Sequence, residues 1–223
     1  MSETRSSDTG ASKTGGLPDI LPIFPLAGVL LLPRGRLPLN IFEPRYLAMT
    51  RDALAAERLI GMIQPSDPGD GGMHPAVYPI GCAGRITSFS ETDDGRYLIT
   101  LTGVSRFRIG EELPLLSGYR RVAPQWDAFG GDIEPVEPGF DRSRLIRELR
   151  AYFGQRQIEA DWDMIDKAPT EHLVSSIAML CPFAPSEKQA LLEAADFEAR
   201  AELLTALVEM AALAVTPQGT SRH

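Results

Sequence analysis

From Leu17 to about Asp127 the apolar positions come in short runs broken by proline or glycine: LPIF, GVLLLP, LPLNIF, LIGMIQ, YPIGCAGRITSF, RYLITLTG, RFRIGEE and SGYRRVAPQW. Runs of that length between turn formers predict β-strands. Within one of them Tyr97, Ile99 and Leu101 alternate with Leu98, Thr100 and Thr102, a pattern suited to a strand whose outer face is partly covered. Asp93, Asp94 and Gly95 can supply the left-handed conformations of a tight hairpin, so residues 82–104 are expected as a long antiparallel pair. Many short strands leave exposed edges, and closure into a small mixed barrel removes them.

One helix is predicted inside this region. Pro44 has a preset φ and no N–H to satisfy, so it fits a first helical turn, and Glu43 before it is held extended near the positive helix end. Tyr46, Leu47, Met49, Thr50, Ala53 and Leu54 then recur at helical spacing, which predicts a helix over about 44–57.

After Asp141 the period lengthens to that of a helix. Leu145, Ile146, Leu149, Tyr152 and Phe153 form one apolar stripe, with Arg142, Arg144, Arg147 and Arg150 largely off it. Further helices are expected at HLVSSIAMLC, at SEKQALLEA and from Phe197 to Ala214. Ser186 with Gln189 reads as a capping box, and Asp196 as the cap of the last helix. Glycines and prolines make 65–76 a flexible loop, and AFGGDIEPVEPGF at 128–140 reads as a linker. The expected organisation is therefore α+β: a disordered tail over 1–17, a barrel over 18–127, a linker over 128–140, a helical bundle over 141–215 and a tail over 216–223.

Composition narrows the function. The chain has 223 residues, 43% of them hydrophobic, which suffices for a packed core. Thirty acidic residues against 22 basic ones give a net charge of -8, which disfavours a nucleic-acid or anionic-membrane binder. The longest uncharged apolar stretch, 20–33, contains three prolines and falls short of the roughly 20 residues that span a bilayer, so no membrane anchor is expected. The first sixteen residues lack the apolar stretch of a signal peptide. Cys82 and Cys181 lie apart in apolar surroundings and read as buried thiols of a cytoplasmic protein.

Motifs for chemistry are missing. No phosphate-binding G-x-x-x-x-G-K-[ST], G-x-S-x-G elbow or H-E-x-x-H occurs, and His74, His172 and His223 suggest no triad. Lys13-Thr14-Gly15 matches one element of penicillin-acylating enzymes, but no S-x-x-K accompanies it and it falls in the tail. Asp161, Asp163 and Asp166 could hold a hard cation, though helix capping explains them more simply. The arginines from Arg142 to Arg156 read as a solvated helix face. No catalytic residue, metal or cofactor is expected.

PIFPLAGVLLLPRGRLPLNIFEPRYLAM, then GCAGRI at 81–86, then DGRYLITLTGVSRFRI, resemble the amino-terminal substrate-binding domain of Lon proteases. LCPFAPSEKQALLEAADFEARAELL resembles the helical half of that domain, particularly in stand-alone bacterial members, and the likeness covers roughly 18–215. The resemblance implies a PUA-like barrel followed by a helical bundle. It also implies a non-enzymatic role in recognising unfolded or extended polypeptide, with a separate protease or chaperone as a candidate partner and without the ATPase motor or Ser-Lys dyad of the full-length proteases. An RNA-binding PUA-like protein is the alternative, against which the acidic charge weighs. Phe42 to Tyr46 match a signature that turns strand into helix, with Arg45 and Tyr46 expected at a cleft edge; Asn40 stands where many relatives carry histidine. Arg106 and Phe107 match the second signature, with Phe107 expected in the core and Arg106 in an ion pair with Glu43. The candidate peptide-binding or cleft-edge residues are Asn40, Phe42, Arg45, Tyr46 and Arg106.

Overall fold

A computed structural model describes residues 16–67, 69, 72–133 and 139–214. The Lys13-Thr14-Gly15 match, most of the two expected tails and 134–138 of the expected linker lie outside the described residues.

The elements run β1 (Leu21–Pro25), β2 (Arg36–Ile41), α1 (Pro44–Ala55), β3 (Leu59–Ile63), β4 (Ile80–Glu91), β5 (Tyr97–Leu116) and β6 (Tyr119–Gln125). A 3₁₀ turn (Asp127–Asp132) follows, then α2 (Arg142–Arg156), α3 (Trp162–Lys167), α4 (Thr170–Leu180), α5 (Pro185–Glu193) and α6 (Phe197–Leu213). β1 pairs with β3 in parallel, and antiparallel pairs β3–β4, β4–β5, β5–β6 and β6–β1 close a five-stranded ring. The mixed barrel expected from the sequence is present, with β2 added outside the ring along residues 97–102 of β5. Register shifts on β4 and β5 supply the bends that let so few strands curl shut.

RYLITLTG and RFRIGEE, expected as two strands, form the single strand β5. Gly103 is no break. The backbone of 32–35 crosses over it: Arg34 N–H donates to the Gly103 carbonyl at 2.8 Å and Gly103 N–H to the Gly35 carbonyl at 2.9 Å. That crossing segment belongs to GVLLLP, expected as a strand but irregular here. Leu30, Leu31 and Leu32 are all buried in succession in the larger core. In the β4–β5 turn only Gly95 takes a left-handed φ, 77°, and Asp93 and Asp94 do not.

Phe107 fills the barrel interior together with Leu21, Ile23, Ile63 and Val122. A Cβ on Gly61 or Gly81 would come within 2.8 or 2.7 Å of its ring. Leu17, the last residue of the expected tail, packs against this cluster. The barrel's outer face and the helices share a larger core, in which Leu31, Met62, Ile86 and Leu101 meet Leu145, Val174, Leu191, Leu204 and Val208. Part of the expected linker is integral to the packing, because the 3₁₀ turn buries Phe129.

Asp141, Asp161 and Asp196 cap α2, α3 and α6 through their carboxylates. The Ser186–Gln189 capping box does not form. Pro185 starts α5 one residue earlier, Glu187 reaches back to the Ala184 N–H at 2.7 Å, and Gln189 turns inward to donate to the Ile80 carbonyl at 3.2 Å.

Candidate functional site

The corner between β2 and α1 is built by its own charges. Glu43 is extended and leaves the helix cap unfilled; its carboxylate instead accepts from Arg45 Nε at 3.0 Å and Nη2 at 2.9 Å. Arg45 Nη1 donates to the Met73 carbonyl at 2.6 Å, and the guanidinium lies 4.5 Å from the centre of the Tyr46 ring. Arg45 thereby ties the glycine-rich loop to the corner. Tyr46, expected at a cleft edge, is buried, with its ring 4.1 Å from that of Phe24, and burial pushes its phenol pKa up. Both residues hold the corner in shape.

Arg106 also departs from expectation. Its partner is Asp132, not Glu43: Nε and Nη2 each lie 2.9 Å from a carboxylate oxygen, in a two-pronged pair with both side chains buried. Asn40 stands opposite Leu98, eight residues before Arg106 on β5, so about 26 Å of strand separates the corner from Arg106 at ~3.3 Å per residue. Arg106 Nη1 donates to the carbonyls of Leu192 and Ala194, where α5 ends. A cation there satisfies orphan helix carbonyls and the negative end of the dipole.

Asn40 and Phe42 are the exposed members of the predicted set. Asn40 shares the outer face of β2 with Arg36 and Pro38, and Phe42 is 62% exposed. The side of β2 away from β5 has no strand partner among the described residues. Beside the start of β2 lies a cavity of about 200 Å³, where Arg34 to Pro38 face His172, Ser176, Met179 and Leu180 of α4. Leu180 is 80% exposed.

Arg34 also borders a second cavity, of about 300 Å³, between the 3₁₀ turn and the start of α6. Its lining includes Arg106, Phe129, Asp132, Glu171, Phe197 and Arg200, and Arg34 pairs with Glu171 across it. Arg200 is buried, and Nε donates to the Leu191 carbonyl at 3.0 Å. Burial and the neighbouring Arg106 push its pKa down to about 10, so it remains charged at neutral pH. The two cavities share Arg34 in their linings, and the second is the cleft that matters for Arg106. It brings Arg106 together with Arg34, Asp132, Glu171 and Arg200, and leaves Arg45 and Tyr46 out.

Sequence reasoning missed those four partners. Only Arg200 carried a signal, as an arginine three residues after Phe197 and four before Leu204 on the inner stripe of α6. Chemistry by the thiols is disfavoured: Cys82 and Cys181 are free and buried, and burial pushes Cys181 up to about 11. Among the described residues no three His, Cys, Asp or Glu side chains gather as a metal site, and no helix is long and apolar enough to cross a membrane.

Residues 20–210 match the family described as the ATP-dependent protease La (LON) substrate-binding domain. Lon protease 2 of Myxococcus xanthus is 28% identical over 92% of this chain, which spans 25% of that relative. Lon protease 2 of Sorangium cellulosum is 27% identical over 89% of the chain, which spans 26% of it. The chain thus covers about a quarter of the curated relatives it matches. Among solved structures, the Lon N-terminal domain protein from Xanthomonas campestris aligns with a TM-score of 0.58 at 25% identity, covering 84% of this chain and 97% of that one. The N-terminal domain of Mycobacterium avium complex Lon protease shares the fold, with a TM-score of 0.60 at 15% identity over 85% of this chain and 97% of its own.

Proposed function

The chain belongs to the Lon substrate-binding domain family, and on that premise we propose that it is a non-enzymatic recognition module for unfolded or extended polypeptide. The observation that carries this reading is the unpaired edge of β2 running beside the cleft between barrel and helices. An extended peptide added along β2 gains main-chain hydrogen bonds, while alternate side chains reach the apolar groove against α4. Asn40, on the outer face of β2, and Phe42, just past its end, flank such a segment. Arg45 and Tyr46 hold the corner that aims it, and Arg106 lines the neighbouring cavity.

Affinity is modest in this scheme, because ordering a flexible chain offsets part of the contact free energy. A protease or chaperone supplied by a separate chain would act on what this module holds. Two buried free thiols suit a reducing cytoplasm. The test is fluorescence polarisation of labelled, chemically denatured protein titrated with this chain, beside the same protein in its native form. Saturable binding of the denatured form alone is expected, and no saturable binding at high concentration overturns the reading.

A further inference from the structure

The 300 Å³ cavity between the 3₁₀ turn and α6 is bordered by one guanidinium to which no carboxylate hydrogen-bonds among the described residues. Arg106 is fully engaged, with Asp132 on Nε and Nη2 and with the Leu192 and Ala194 carbonyls on Nη1. Asp132 is spent on the same residue, since it also accepts the Arg106 backbone N–H at 2.8 Å. Arg34 and Glu171 answer one another at the side.

Arg200 differs. It is 5% exposed, it donates only from Nε, to the Leu191 carbonyl, and its buried Nη2 has no hydrogen-bond partner among the described residues. Two buried cations, Arg106 and Arg200, thus stand beside one buried carboxylate, Asp132, whose hydrogen bonds all go to Arg106. A buried cation without a partner is costly, and an arriving anion removes that cost.

We propose that this cavity is a carboxylate-binding site, in which the guanidinium of Arg200 receives the anionic end of a bound polypeptide. The planar fork of an arginine matches a carboxylate through two parallel hydrogen bonds. Pro33, Phe129 and Phe197 supply apolar wall for the carbon chain behind the charge. Asp196 and Glu198 stand exposed on the rim, where they repel a dianion such as phosphate about twice as strongly as a monoanion. That the carboxylate belongs to a polypeptide rests on the function proposed above; the unpartnered Arg200 nitrogen does not.

Isothermal titration calorimetry on the full chain tests this with N-acetyl-Leu-Ala-Ala as the free acid, the same peptide amidated, amidated N-acetyl-Leu-Ala-Asp, and inorganic phosphate. The free acid is expected to bind about tenfold or more tightly than its amide. If amidated N-acetyl-Leu-Ala-Asp matches the free acid, the site stands and also takes acidic side chains; if it matches the neutral amide, the site reads chain ends. Equal binding of acid and amide, no binding of either, or tighter binding of phosphate overturns the proposal. Arg200→Met removes the charge and is expected to abolish the preference for acid over amide; retention of the preference in a folded variant also overturns the proposal. Should that variant fail to fold, the wild-type comparison decides alone. Binding of denatured protein without any acid preference removes the pocket and leaves the recognition reading. Acid binding without denatured-protein binding does the reverse.

Discussion

Arg106 on β5 donates from Nη1 to the carbonyl of Leu192 at 3.1 Å, across 86 residues of sequence, and so latches the barrel to the end of α5. The same guanidinium holds Asp132 and with it the 3₁₀ turn. Arg106→Ala leaves Asp132 buried without its cation, and a loss of about 3–5 kcal/mol is expected in urea unfolding followed by circular dichroism. Arg106→Met combined with Asp132→Leu removes both charges and is expected to recover most of that loss. If the double variant is no more stable than the single one, the latch acts through its carbonyl bonds rather than through the pair.

Tyr46 and Phe42 separate architecture from recognition. Tyr46 is 6% exposed and packs on Phe24, so Tyr46→Ala is expected to cost about 3–5 kcal/mol, read as a lower melting temperature. Phe42 is 62% exposed, so Phe42→Ala should leave the melting temperature within a degree or so while weakening binding of denatured protein. Loss of binding only in the variant that also loses stability would remove Phe42 from the recognition surface.

Gly103 admits a crossing chain. A Cβ there would sit 2.0 Å from the Leu32 carbonyl oxygen, a backbone atom that cannot swing aside. Gly103→Ala is therefore expected to destabilise by at least the roughly 1–3 kcal/mol typical of overpacking. Gly95→Ala places its Cβ in open space and keeps only the strain of a left-handed φ, so the milder effect is expected there. The two unfolding curves, measured side by side, rank them.

The thiols give a signed pH dependence. Burial raises the pKa of Cys82 and carries that of Cys181 to about 11, so the folded chain holds these protons more tightly than the unfolded chain. Their contribution to stability is intact below the unfolded value of about 8.5 and declines as pH rises from there toward 11. Iodoacetamide at pH 8 should modify neither cysteine in the folded chain and both after denaturation, as counted by mass spectrometry. The fall in stability above pH 8.5 should shrink in Cys181→Ala.

Strands with an alternating pattern, and helices with a clear stripe, were legible in the sequence because periodicity survives any tertiary context. α1 was legible from Pro44, whose fixed φ and missing N–H suit a first turn. The Leu30–Leu32 segment was misread because a continuous apolar run fits a buried strand and a buried crossing segment equally well. Capping of α5 was misread because Pro185 outranks Ser186 as a start. The cleft was hardest. Arg106 finds Asp132 through folding, 26 residues on, and Arg34 finds Glu171 137 residues on, separations at which no local pattern operates. An arginine on the inner stripe of α6 was the one visible sign that a buried cation awaited a partner.

Hydrogen–deuterium exchange of this chain, with and without saturating denatured protein, tests most directly whether an extended polypeptide adds to the edge of β2. Slower exchange at residues 36–42 and in α4 is the expected result. Unchanged exchange at 36–42 under saturation, or protection confined to the β4–β5 turn, would contradict it.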